Sequence, residues 1–487
     1  MYAGQFVLGP SFVKHFAGWQ MIDIDDELKL TAHPDLVCTQ AMNGRRSLTL
    51  VGHLLDPLSP AAGNADILRN LLQHFTGRSA LIEATSGYGG RWLLIATHGK
   101  EKFLFNDALG LRQVFYTDPQ ETGELWAMSQ PGIGTEALAL IPDESATAFV
   151  ESSAFRGNPE YRWPGDASPF KGLKHLLPNH RLDLTNGTSH RYWPIEPLAR
   201  VEPDAALEKL SLLLPGIIGA AARRFDLVLS ITAGLDSRLV LAAARNVKDE
   251  LPFITVQQHM ASADHADLTV PATLLDQLGL PHEIIDAAPN MTPKFSQRCK
   301  RSVLYAHDHY GPDAEAILRH FSRTKAALTG SGAEVMRCPF QGMRWRSRFG
   351  NITPERLSQL EFETHHNFID DHLRDWYAAA NKQKYVKLLD LFEWEQGHGN
   401  WLAMTQLEFD IAWREIVTPY NCREVLTTAL GVAERHRCAP DYTLFKRLIE
   451  RLWPDVLSEP INPHKKKTRT GCLMQRLKHR VATVFND

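Results

Sequence analysis

An α/β protein in two parts is what this chain predicts, and three observations carry that expectation. Short apolar runs separated by turn-rich clusters fill the first 195 residues. From about residue 204 strands and helices alternate, which indicates a parallel sheet under helical cover. Between them PIEPLARVEPD (194–204) places three prolines at the start of a long amphipathic stretch, and 487 residues are too many for one ordinary domain. The expected units are therefore 1–195 and 204–487.

In the first unit SLTLVGHLL (47–55), RWLLIATH (91–98) and EKFLFND (101–107) read as strands. SGYGG (86–90) reads as a hairpin turn and DPQETG (118–123) as a turn-rich cluster between strands, while only 65–76 has a clear helical period. The second unit predicts a helix over 204–223, a strand over 226–231, and a helix from about Asp236. A strand over 252–258, a helix over 267–279 and the short run HEIID (282–286) follow. Beyond Pro354 helical stretches rich in Trp, Glu and His lead to a basic tail, HKKKTRTGCLMQRLKHR (464–480).

Composition narrows the function classes. With 53 Lys and Arg against 56 Asp and Glu, a nucleic-acid surface over the whole molecule is excluded. The amino terminus lacks a basic, apolar leader and no run approaches eighteen apolar residues, so neither a signal peptide nor a membrane span is expected. Six cysteines without a Cys-x-x-Cys pair fit reduced thiols in a cytoplasmic protein.

One stretch carries chemistry. In LVLSITAGLDSRLVLAAAR (227–245) an apolar strand breaks into a six-residue polar turn and resumes at once as a helix. The open helix amino terminus attracts an anion, usually phosphate. Ala233 and Gly234 allow close approach to the backbone, and Thr232 and Ser237 add hydroxyls. Asp236 would repel a bare phosphate but suits a magnesium ion that phosphates share. The turn therefore predicts a magnesium-nucleotide site, although it is neither a Walker loop nor a Gly-x-Gly-x-x-Gly.

The same stretch resembles the Ser-Gly-Gly-Leu-Asp-Ser pyrophosphate loop of the asparagine synthetase superfamily. Further segments follow in that family's order. ADLTVPATLLDQLGLPHEI (266–284) looks like its next helix, with Asp267 as the preceding acid. AALTGSGAEVMR (326–337) resembles Leu-Ser-Gly-x-Gly-x-Asp/Glu, and VTPYNCREVL (417–426) resembles Pro-Phe-Leu-Asp-x-Arg. YTLFKRLIERLWPDVLSEPINPHKKKTRTG (442–471) is similar to the family's lysine-rich ending. In the first unit FNDALGLRQVFYT (105–117), FKGLKHLLPNHRL (170–182) and RYW (191–193) are similar to the class II glutamine amidotransferase domain. The resemblance implies an Ntn-hydrolase-like αββα domain followed by a PP-loop synthetase domain. It implies nucleotide contacts at Ser230, Thr232, Ala233, Gly234, Leu235, Asp236, Ser237, Val256, Thr329 and Gly330. It also implies magnesium between Asp236 and Glu334, with Lys466, among Lys465, Lys466 and Lys467, facing the departing pyrophosphate.

Two departures shape the functional expectation. A working amidotransferase of that class begins Met-Cys-Gly, whereas this chain begins Met1-Tyr2-Ala3-Gly4. A phenol that ionises near pH ~10 is a poor acyl-transfer nucleophile, so the first unit is expected to be inactive towards glutamine. The family's Glu or Tyr between the glycines of the second segment is Ser331 here, which without a paired base is a poor proton acceptor. Glu393, Glu395 and His398 in FEWEQGHGNW (392–401) are the replacement candidates, and the same residues also read as a partly exposed helix. HDH (307–309) and His366 with Asp370 have ligand spacing but no third ligand, and read as surface groups.

The expected activity is an ATP- and magnesium-dependent, AMP-forming amide ligase without glutaminase activity. It would adenylate a carboxylate and couple it to a substrate amine, as the β-lactam, carbapenam and lasso-peptide cyclases do. Amidation with free ammonia and a non-catalytic nucleotide-binding protein stand as alternatives. The expected partner is a small molecule or peptide bearing a carboxylate and an amine, with no nucleic acid and no membrane. A homodimer or a pathway protein partner is left open.

Overall fold

Short strands, many of them buried along most of their length, zip into two antiparallel sheets before residue 192. The computed structural model describes residues 2–258, 262–340 and 352–463. The first six-stranded sheet runs Leu173–His175, Phe115–Thr117, Ala127–Met128, Phe6–Gly9, Lys29–Ala32, Gln20–Asp23. The second, also six-stranded, runs Ser189–Arg191, His180–Asp183, Glu101–Asn106, Trp92–His98, Arg46–Gly52, Cys38–Asn43. Strand period two sends alternate residues to opposite faces. Phe6, Leu8, Leu30 and Tyr116 of one sheet therefore meet Val51, Leu93, Ile95 and Leu104 of the other in a closed core. The far face of the second sheet is covered by the helices Asn64–His74 and Arg78–Ala84, and that of the first by Pro131–Ala137. The result is the expected αββα arrangement.

The third sheet is all parallel, with five strands in the order His282–Asp286, Phe253–Gln257, Leu227–Ser230, Ala326–Leu328, Ile416–Val417. The chain grows outward on one side of Leu227–Ser230 and then returns to grow on the other. This creates a topological switch point between Leu227–Ser230 and Ala326–Leu328, where α/β sheets hold their ligands beyond the carboxyl ends of the strands. Helix Pro203–Ala222 is long and apolar enough to cross a membrane, but its apolar residues, among them Leu210, Leu214, Ile217 and Ile218, pack into the core.

The two parts share buried surface. Ala146, Phe149, Phe155 and Leu177 pack with Leu357, Ile369, Leu373, Trp376 and Phe392. Arg91, almost fully buried, donates to both carboxylate oxygens of Asp410, at 2.6 and 2.9 Å. Arg112 donates to Glu415 at 2.9 Å. Each guanidinium comes from the first part and each carboxylate from the second.

Four expectations are corrected. SGYGG is not a hairpin turn but joins a helix to a strand, with Gly89 pressed against Ile217 of the second part. Helices at Arg78–Ala84, Pro131–Ala137 and Glu144–Glu151 escaped the sequence reading because each has two turns or so, too few to show a period. Cys338 and Cys438 form a disulfide, Cα to Cα 5.0 Å, across a separation of 100 residues. Linear scatter conceals such a pair, and it runs against the reduced thiols of the cytoplasmic reading. Cys38, Cys299 and Cys422 are free, and Cys472 lies outside the described residues. The stretch holding Glu393 and His398 is a buried π-helix, Glu393–Leu402, rather than a partly exposed helix.

Removing one partner of a buried ion pair leaves an uncompensated charge, at a cost of about 3–5 kcal/mol. Arg91→Ala is expected to lower unfolding free energy by roughly that amount in urea titration. Lys209→Ala, which breaks the half-exposed pair with Glu424, is expected to change it by less than about 1 kcal/mol.

Candidate active site

The predicted loop sits at the switch point. Ser230 ends its strand, and helix Leu235–Ala243 begins after Gly234. The turn is braced from within. The Thr232 amide donates to Ser237 Oγ at 3.2 Å and the Gly234 amide to Thr232 Oγ1 at 3.1 Å. The Ala233 amide donates to the Asp267 carboxylate at 2.9 Å. Asp267 therefore already places a negative oxygen on a donor predicted for phosphate. Leu235 is buried and anchors the helix, whereas Val256 lies one strand over, half-buried in Phe253–Gln257.

From the neighbouring strand Thr329 and Gly330 close onto the same turn. A Cβ on Gly330 would stand 2.7 Å from the Ser237 amide nitrogen and 2.8 Å from the Asp236 carbonyl carbon, so only glycine fits. Thr418 donates to the Ser331 carbonyl at 2.6 Å and the buried Tyr420 hydroxyl to the Asp236 carbonyl at 3.0 Å. Both come from the last strand and its loop. The described chain ends nearby, with the Asn462 amide donating to the Ala233 carbonyl at 3.0 Å. Lys465, Lys466 and Lys467 lie outside the described residues.

The predicted acids converge. Arg337, absent from the sequence-derived set, bridges them through one nitrogen: Nη2 is 2.8 Å from Asp236 Oδ2 and 3.1 Å from Glu334 Oε1. Its spacing, three residues after Glu334, was the available signal. Glu334 also accepts from the Gly332 amide at 3.1 Å and lies 3.3 Å from His398 Nε2. His398 Nδ1 is 3.3 Å from Glu393 Oε1 and 3.1 Å from the Glu393 carbonyl oxygen. The π-helix, with its i to i+5 bonding, is what brings residues five apart together. The site is a line of alternating charge: Asp236, Arg337, Glu334, His398, Glu393.

Burial, reinforced by the charge of Glu334, pushes Asp236 up to about 7. Burial also disfavours an ionised Glu334, but His398 and Arg337 overcome it and hold that carboxyl well below its usual range. Burial raises Glu393 against the pull of His398. His398, which burial alone would discharge, is raised by its two carboxylate partners.

Magnesium fits the donor set. Asp236 Oδ1 and Thr329 Oγ1 are buried without hydrogen-bond partners beside a second carboxylate. Two carboxylates are what magnesium takes from protein when phosphates complete its shell. Among the described residues no three His, Cys, Asp or Glu side chains gather to hold a metal by themselves.

Glu395 corrects one expectation. It is fully buried and accepts from Asn179 at 3.0 Å, Trp376 at 2.8 Å and both terminal nitrogens of Arg191. With its lone pairs taken, it is a strut between the two parts and not a base. Tyr2 also packs as a core residue, edge-on to Phe16 at 5.8 Å, with its hydroxyl raised by burial and by Glu136. His366 caps the helix Asn367–Ala380, and His307 sits between Glu408 and the Glu160 carbonyl.

No protein-family model matches the chain, and no curated protein does. Among solved structures it is similar to an NH3-dependent NAD synthetase from Campylobacter jejuni, at 13% identity over 40% of this chain and 94% of that one, TM-score 0.22. A glutamine phosphoribosylpyrophosphate amidotransferase from B. subtilis shares 10% identity over 69% and 71%, TM-score 0.24. An NMN synthetase from Francisella tularensis shares 15% over 40% and 88%, TM-score 0.20. The functional reading rests on the residues of this chain.

Gly330→Ala is expected to push the amino terminus of helix Leu235–Ala243 out of place, since the Cβ would meet backbone. Denaturant titration should show a loss of about 1–3 kcal/mol. Thermal-shift titration should show any nucleotide response weakened in parallel.

Proposed function

We propose that the chain is an ATP-dependent, AMP-forming amide ligase that adenylates a carboxylate and couples it to a substrate amine without using glutamine. The observation that carries this reading is the convergence at the switch point of an open helix amino terminus, the acids Asp236 and Glu334, and an acid–base pair, Glu393 and His398. Phosphates would lie over 232–237, where the helix dipole and amides favour them. Asp236 and Glu334 would hold magnesium, which neutralises phosphate charge when bound, and Arg337 would give up one of its carboxylates to the ion. Lys466, which lies outside the described residues, is proposed to face the pyrophosphate.

An amine arrives as an ammonium and must lose a proton before it attacks. Glu393 opens onto a cavity shared with Glu334, and a carboxyl raised towards the working pH is a better acceptor than one of ordinary pKa. His398 fixes its orientation from behind. This arrangement supplies the base that Ser331 lacks. A carboxylate held in line with the α-phosphate would then react as an intramolecular pair.

A second reading, a nucleotide-binding protein without chemistry, is favoured by two contacts. Arg337 already pairs with one oxygen of each acid, and Asp267 already satisfies the Ala233 amide. A thermal-shift titration with ATP and magnesium separates the readings from an inert fold. The wild type is expected to show a magnesium-dependent rise that Asp236→Ala abolishes; no shift at millimolar ATP overturns both. Release of AMP and pyrophosphate with a carboxylate substrate then distinguishes the ligase from the binder.

The shift should also depend on pH. Asp236 must be ionised to hold a cation, and its pKa is raised to about 7. Magnesium-dependent affinity is therefore expected to rise as pH increases through that value and to fall below it. Asp236→Asn should flatten the profile.

A further inference from the structure

Between the two parts lies a recess of about 40 Å³, more than a single water needs and far less than a whole small-molecule site. It shares Glu160, Arg162 and Trp401 with the cavity of about 720 Å³ onto which Glu334 and Glu393 open. The larger space is of ligand size, and the recess has the dimensions of a pocket for one end group of a molecule seated there.

The wall of the recess is mainly aromatic. Phe115, Tyr161 and Trp163 come from the first part, and Tyr305 and Met404 from the second. Trp163 and Tyr305 touch, with ring centroids 5.8 Å apart. Tyr161 and Tyr305 both hold left-handed backbone, at φ 41° and 60°, where bulky side chains are rarely found. Strain of that kind persists only where the surroundings over-determine it, and here it sets two rings on one recess.

Gln113 supplies the observation that points to a ligand. It is 5% exposed, lines the recess, and its side-chain amide makes no hydrogen bond among the described residues. The other amides on the wall are bonded within the fold, Gln130 to Gln5 and Gly132, Asn400 to His175 and Gly165. An amide buried without partners costs stability, so a fold that keeps one gains something else by it. Its carbonyl accepts and its NH2 donates side by side. A carboxylate can only accept and an ammonium only donate, so each would leave half of this amide unmet. A primary carboxamide presents the same pair in reverse and meets both halves at once.

We propose that the recess binds a primary carboxamide at one end of the substrate, paired with the Gln113 amide and enclosed by Tyr161, Trp163 and Tyr305. Calling the occupant substrate rests on the ligase reading, since the recess adjoins the cavity of Glu334 and Glu393. The assignment narrows the substrate to molecules with a neutral carboxamide, such as an asparagine or glutamine side chain, apart from the groups that react.

The test uses the full chain without nucleotide and two probes of one shape, propionamide and butanone, followed by saturation-transfer NMR. Butanone carries a methyl group in place of the NH2. Propionamide is expected to bind about five-fold more tightly, as a pair of neutral hydrogen bonds provides. In Gln113→Leu the preference should vanish while the urea midpoint stays or rises, because no bond within the fold is lost. Gln113→Met gives the same reading if the leucine variant does not fold. Equal affinities, no saturation transfer to propionamide at about 50 mM, a preference kept in the variants, or a lower urea midpoint in both overturns the proposal. The ATP and magnesium thermal shift, run on the same samples, separates the two failures. A shift without carboxamide preference removes the recess assignment and leaves the ligase reading. A carboxamide preference without a shift removes the ligase reading and leaves the recess as a carboxamide site.

Discussion

Two arginines of the first part buried against two acids of the second are the constraint on which the remaining structure depends. Glu415, held by Arg112 and approached by Arg91, immediately precedes the strand Ile416–Val417. That strand delivers Thr418 to the Ser331 carbonyl and Tyr420 to the Asp236 carbonyl. A salt bridge at the start of one short strand thus fixes, through that strand, both loops of the candidate site. Such pairs gain little stability over an apolar replacement, but breaking one is costly, which makes them effective registers of position. The first part thereby holds in place the loops of the second that form the candidate site.

Alternation of charge explains why similar carboxyls in one site behave differently. Glu334 lies between Arg337 and His398 and remains ionised, whereas Asp236 has a share of one guanidinium and Glu393 a share of one imidazole. Burial acts on all three; the hydrogen bond and charge of His398 with the charge of Arg337 hold Glu334 ionised, whereas neighbouring carboxylate charge adds to burial in raising Asp236 and Glu393. A low dielectric strengthens each of these pairings and penalises any group left over. The protein consequently holds a nearly neutral chain of charge in which one member, Asp236, retains an oxygen with no partner.

Much of the scaffold was legible in the sequence. Helix 204–223 became Pro203–Ala222, and the strand and helix flanking the turn fell within a residue or two, because long periodic runs and abrupt polar breaks report directly on local geometry. The convergence of Asp236 and Glu334 was also readable, from segments that come in a family's order. What escaped was set by distance in space. Arg337 looks like an ordinary surface arginine until Asp236 is brought to it. Glu395 and Glu393 look equivalent in sequence, yet three donors from separate elements saturate the first and leave the second facing a cavity. The disulfide is invisible for the same reason: Arg437, donating to the Met336 carbonyl at 2.9 Å, helps bring together segments a hundred residues apart.

The π-helix has a consequence for how this site is inherited. In an α-helix five steps along the chain turn through about 500°, leaving the residue five positions on roughly 140° away from the first. Glu393 and His398 meet only because Glu393–Leu402 is wound more loosely. Their partnership is therefore written in chain length as much as in residue identity. Two relatives with the same glutamate and the same histidine, differing by one inserted or deleted residue between them, would not share it, and an alignment that slides a gap through this turn would pair the wrong groups.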